Sequence, residues 1–198
     1  MNVALRAELL AMAQEDRRVR SELVADGSLF DGYHPRMQEV HECNARRLEE
    51  IVAQHGWPGR TLVGEDGAES AWLIVQHAIG LPLFQRYCLE LLQVAASRSE
   101  AQSWQPAYLL DRIRVFEGKP QVYGTQFDRD EHGEMSPCPV EEPAGLNQRR
   151  AAIGLDSIEE RTRTMRVPAN SGPEQSQSER ATHHREYHEW LKRVGWRD

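Results

Sequence analysis

Apolar residues in the first 117 positions recur at helical spacing, and Gly and Pro cut that pattern into segments of moderate length. Leu5, Leu9, Met12, Val19 and Leu23 follow one another at intervals of 4, 3, 7 and 4, which is one face of an α-helix. Asp26-Gly27-Ser28 closes this helix, expected over 2–25. Met37, Val40, His41, Asn44, Leu48, Ile51 and Val52 mark a second helix. It opens near Pro35, whose missing N–H is tolerated in a first turn. It closes at His55-Gly56-Trp57-Pro58, where Gly suits a C-terminal cap and Pro blocks continuation. Residues 61–67 read as a loop, and AESAWLIVQHAIG as a third helix over about 65–79. That helix is apolar on most sides and therefore central. Two more helices are expected over about 81–98 and 105–117. Amphipathic helices joined by short loops bury their faces against one another as a bundle.

The period changes after Gly118-Lys119-Pro120. Residues 122–127 and 134–140 read as two short strands around a turn at 128–133, with Pro137 and Pro139 confining the second to an edge. Short helices are expected at 147–153 and 157–165. Residues 167–179, VPANSGPEQSQSE, have the composition of a flexible linker. Residues 180–198 carry Trp190, Leu191, Val194 and Trp196, enough apolar area to dock on a body. The expected fold is mainly α: a compact bundle of about five helices with one small β-hairpin over 1–166, then the linker and a C-terminal helical segment.

Charge excludes some partners. With 24 basic and 31 acidic residues the net charge is −7, whereas a nucleic-acid binder carries a basic footprint. The pairs Arg46-Arg47 and Arg149-Arg150 read as solvated helix faces. No apolar run reaches the ~18–20 residues of a membrane span, and residues 1–10 lack the pattern of a signal peptide. Cys43, Cys88 and Cys138 are far apart and form no CxxC, which points to a reducing cytoplasm.

Polar residues on the apolar faces carry the functional argument. Asp16, His41, Asn44, His77 and Asp111 each fall on a stripe otherwise made of core residues. Burying an unpaired charge or amide costs several kcal/mol. The groups must therefore be satisfied by neighbouring helices or gathered in a shared polar pocket. In a pocket, His41 or His77 beside Asp16 or Asp111 makes a general acid–base pair, because the carboxylate fixes the imidazole tautomer. Asn44 and Gln76 then orient a polar substrate, and Tyr123 and Gln126 of the YGTQ stretch add donors. A divalent ion on His41, His77 and one or two carboxylates is the alternative, although no HExxH, ExxH or HxH spacing supports it. In HHREYH, His184 and His188 stand at i,i+4 with His183 beside them, a spacing able to hold a metal. GxSxG, P-loop and GxGxxG patterns are absent.

Three strings carry a resemblance: HGWPGRTLVGEDGAESAWLIVQHA (55–78), AYLLDRIRVFEGKPQVYGTQ (107–126) and PVEEPAGLNQRRAAIGL (139–155). In this order they resemble a bacterial family described as a domain of unknown function, over roughly residues 5–165. The resemblance implies a small, cytoplasmic, largely helical protein. It places Trp57, Trp72, Gln76, His77, Asp111, Arg112, Tyr123, Gly124 and Gln126 inside family motifs and assigns none of them a catalytic role.

The expected function is an enzyme acting on a small polar molecule by hydrolysis, elimination or cyclisation. His77 and His41 would do the acid–base work with Asp111 orienting. Asp16, Asn44, Gln76, Arg112, Tyr123 and Gln126 would bind substrate. This reading includes no cofactor, no metal, no nucleic acid and no membrane partner, and leaves a homodimer open. The competing class is a non-catalytic ligand-binding or protein-interaction module, with Trp57 or Trp196 as anchor.

Overall fold

A computed structural model describes residues 1–30, 32–169 and 177–198, with side chains except those of 30, 168, 169, 177–181, 183 and 184. The described residues form eight α-helices and one two-stranded antiparallel hairpin. They fall into two compact units, Met1–Gln102 and Ser103–Asp198. The boundary lies inside the 1–166 stretch that periodicity reads as one domain.

The first unit holds α1 (Val3–Ala25), α2 (Pro35–His55), α3 (Arg60–His77) and α4 (Pro82–Ser97). The inward stripe of α1 is Leu5, Leu9, Ala13, Asp16, Val19 and Leu23. It packs most extensively on α3, which contributes Val63, Ala71, Ile74 and Val75. Met37, Leu48, Ile51 and Val52 of α2 and Phe84, Cys88 and Leu92 of α4 complete the core. The start of α3 differs from expectation. It opens at Arg60 and kinks at Gly64, whose φ of 77° lies in the left-handed region, where a side chain would be strained. Arg6 of α1 secures the kink by donating to both carboxylate oxygens of Asp66, at 2.8 and 2.5 Å.

The second unit holds α5 (Gln105–Phe116), β1 (Phe127–Arg129), β2 (Met135–Pro137), α6 (Leu146–Ala152), α7 (Ile158–Ala169) and α8 (Gln177–Arg193). The first strand is shorter and later than expected, because residues 122–125 are held by a side chain instead of a neighbouring strand. Helix α7 runs through the first residues of the expected linker and α8 covers its last, while 170–176 lie outside the described residues. The C-terminal segment docks as its composition suggests, with Trp190, Leu191 and Trp196 buried. The rings of Trp190 and Trp196 lie 6.0 and 5.0 Å from that of Phe116. Arg197 donates to the carbonyls of Phe116 and Val115 at 2.7 and 2.9 Å. A cation there satisfies the open end of α5 and complements its dipole. No described helix is long and apolar enough to cross a membrane.

Candidate active site

Three of the residues that periodicity marks as misfits meet in the first unit. Asp16 comes from the middle of α1, His41 from the second turn of α2, and His77 from the last turn of α3. Each sits where its helix turns toward the shared core, so the three side chains converge. Asp16 is 1% exposed as a side chain, and His77 retains 26%. His77 Nδ1 lies 2.7 Å from Asp16 Oδ2. His41 Nε2 lies 3.2 Å from the same oxygen, within ion-pair distance but outside hydrogen-bond geometry. The two imidazole centroids are 4.9 Å apart. Tyr33 Oη adds a contact of 2.8 Å to His41 Nδ1.

Electrostatics follow from this packing. Burial pushes the Asp16 carboxyl up, but the two imidazoles more than reverse this and hold it well below the usual carboxylate range. Asp16 is therefore an anion at neutral pH. Burial, with the Glu42 and Asp16 carboxylates, raises the Tyr33 phenol above its ordinary value, so it stays protonated. Among the described residues, Asp16 Oδ1 and His41 Nε2 have no hydrogen-bond partner. A buried polar atom left so costs about 1–3 kcal/mol, and a functional site is one reason to retain it.

Two other expected residues flank the cluster. Asn44, one turn beyond His41, donates to the Met12 carbonyl at 3.2 Å and ties α2 to α1. Gln76 is buried next to His77 in the chain, and its carbonyl accepts from Gln85 at 3.3 Å. Cys88 is no nucleophile: burial pushes its thiol up to about 12.

Asp111, Arg112, Tyr123 and Gln126 belong to the second unit. Asp111 is fully buried, as its place on an apolar face predicts, but its carboxylate serves the backbone. Oδ1 accepts from Val122 N at 2.7 Å and Tyr123 N at 3.1 Å. Oδ2 accepts from Tyr123 N at 3.1 Å and from Thr125 N and Oγ1, both at 3.0 Å. Burial outweighs these donors and raises its pKa. The expected role of orienting a histidine is thus replaced by holding residues 122–125. Arg150 grips the same loop from its carbonyl side, donating to Tyr123 O at 2.6 Å and Gly124 O at 3.2 Å. Read from sequence as part of a solvated pair, Arg150 is instead 1% exposed. Gln126 Nε2 donates to Thr125 Oγ1 at 3.0 Å. Burial lowers the Arg112 guanidinium to about 10.

Tyr33 was not among the expected site residues. It stands in the loop between α1 and α2, where no periodicity marks a side chain as inward. Of the HHREYH histidines, the side chains of His183 and His184 lie outside the described residues, so the expected His184–His188 pairing does too.

A family model matches residues 3–169, most of the chain. The chain belongs to DUF6624, a family of unknown function. All three clustered residues and the Asp111-held loop lie inside the matched part of DUF6624. No curated protein and no solved structure matches the chain.

Proposed function

We propose that this DUF6624 protein is a small bacterial enzyme of the cytoplasm. It acts on a small polar molecule by acid–base chemistry at Asp16, His77 and His41. One observation carries the reading: a buried carboxylate lies 2.7 Å from Nδ1 of a histidine whose side chain keeps 26% exposure. That is the arrangement of a base and its orienting group. Asp16 accepts the Nδ1–H of His77, which fixes the tautomer with Nε2 as the basic nitrogen. When Nε2 takes a proton from substrate, the imidazolium charge forms against an existing anion. The same proton can then be returned to a leaving group.

His41 shares the carboxylate, its Nε2 lying 3.2 Å from the same Asp16 oxygen that His77 approaches. Tyr33 sets the ring angle of His41 through Nδ1. Hydrolysis, elimination and cyclisation all need one proton removed and one delivered, and this set serves each. Asn44 and Gln76 border the cluster and are the substrate-binding candidates of the first unit.

The test is turnover of a panel of small polar compounds followed by proton NMR, with His77→Gln and Asp16→Asn beside the wild type. We expect one or more compounds to be converted, with rates about 10²–10⁴-fold lower in His77→Gln. Conversion at an unchanged rate in folded His77→Gln refutes the assignment.

A further inference from the structure

We propose that Asp16, His41 and His77 also hold a divalent transition-metal ion, zinc being the representative case. This rests on reading the cluster as the working centre and assigns it a ligand.

The ligand atoms of the three residues all lie within 4.8 Å of one another. A tetrahedral ion with bonds of about 2.0–2.1 Å sets its ligand atoms roughly 3.3 Å apart. On binding, His77 Nδ1 releases its proton to solvent and its 2.7 Å contact with Asp16 opens slightly, so in the ion-bound form Nε2 carries the N–H and the base would be a metal-bound water in place of His77. Two imidazoles and one carboxylate form a nitrogen-rich, thiolate-free set. This favours zinc, cobalt, nickel or ferrous iron over magnesium or calcium, which prefer oxygen.

Two independent atoms point to the ion. Among the described residues, Asp16 Oδ1 and His41 Nε2 are buried without a hydrogen-bond partner. Both imidazoles face Asp16 Oδ2, so a proton on His41 Nε2 would still leave Oδ1 bare, whereas an ion taken on Nε2 and chelated by both carboxylate oxygens satisfies both. The second partner of His41 fits as well. Tyr33 Oη is 2.8 Å from Nδ1, so accepting an N–H there directs the Nε2 lone pair toward Asp16. Metal-bound histidines are oriented in this way by the group on their other nitrogen. Three protein ligands leave a coordination position for water, as in catalytic zinc sites. Water bound there would itself become an acid near neutral pH.

The experiment uses the full chain, treated with chelator and carrying glutamine at His183, His184 and His188 to silence the tail. It is titrated with Zn²⁺ by calorimetry, and with Co²⁺ by visible absorption. We expect one ion per chain with Kd at or below about 1 µM. Binding should weaken more than about 100-fold in His41→Ala and about 10–100-fold in Tyr33→Phe. Absence of binding tighter than about 10 µM overturns the proposal, as does binding indifferent to both substitutions. Should the variants fail to fold, Co²⁺ on the otherwise unaltered chain decides: two hyperfine-shifted imidazole N–H signals support the site, and none refutes it. The ion and the acid–base centre fail separately. No binding with His77-dependent turnover retained removes only the ion. Binding with turnover indifferent to His77→Gln removes only the centre.

Discussion

Replacing Asp111 with Asn tests how the second unit shapes its central loop. The carboxylate receives Val122 N–H and Tyr123 N–H on one oxygen, and Tyr123 N–H, Thr125 N–H and the Thr125 hydroxyl on the other. Asn keeps one acceptor and turns the other into a donor. In the better orientation its oxygen serves Val122 and Tyr123, and its amide donates to the Thr125 hydroxyl. Thr125 N–H then loses its acceptor, which costs about 1–3 kcal/mol. The two bonds that survive lose their charge assistance, roughly 1 kcal/mol each. Against this, a neutral side chain no longer resists burial, and because burial outweighs the donors this returns at least the roughly 2 kcal/mol of lost charge assistance. The net loss is the unmet Thr125 amide, about 1–3 kcal/mol, confined at first to residues 122–125. Hydrogen exchange by NMR reads this directly: the amides of Val122, Tyr123 and Thr125 should exchange roughly 5- to 150-fold faster. Exchange within about twofold of wild type, a change under about 0.5 kcal/mol, would refute the assignment of these amides to Asp111.

Gly124 has a φ of +66°, and a Cβ there would lie 2.9 Å from Ile158 Cδ1. Gly124→Ala should cost about 1–2 kcal/mol from backbone strain, read by urea denaturation. A neutral result would contradict the loop conformation. The lowered pKa of Asp16 makes the first unit's stability depend on acidity. The unfolded chain takes up this proton near pH 3.9 and the folded chain only well below that. Asp16's contribution is therefore complete above about pH 5 and is lost as the pH falls through the acidic range. Denaturation of wild type and Asp16→Asn between about pH 5 and 2.5 should show their stability difference shift steadily against wild type as the pH falls. A difference that stays constant over that range would contradict it.

The sequence pattern located helices well where Gly or Pro coincided with the end of an apolar stripe. Helix α2 closes at Gly56, and α4 and α5 lie within about two residues of expectation. It failed at the start of α3, where Gly64 reads as a loop residue but occupies a kink that the Arg6–Asp66 pair stabilises from another helix. It misplaced the first strand for a similar reason. The N–H groups of 122, 123 and 125 find their acceptors on a side chain eleven or more residues away, which no local alternation shows. At the site, the same signal gave two outcomes. A carboxylate on an apolar face must find donors, and Asp16 finds imidazoles while Asp111 finds backbone. Periodicity reveals that a partner is required but not which one. Tyr33 and Arg150 left no such signal, one being in a loop and the other looking like half of a solvated pair.

The most direct measurement is the tautomer of His77 in the chelator-treated protein, from a long-range ¹H–¹⁵N spectrum with Asp16→Asn for comparison. The account predicts a protonated Nδ1 whose shifts change markedly in the variant, because Asp16 Oδ2 is its acceptor at 2.7 Å. A proton on Nε2 with a bare Nδ1, unmoved by Asp16→Asn, would contradict it.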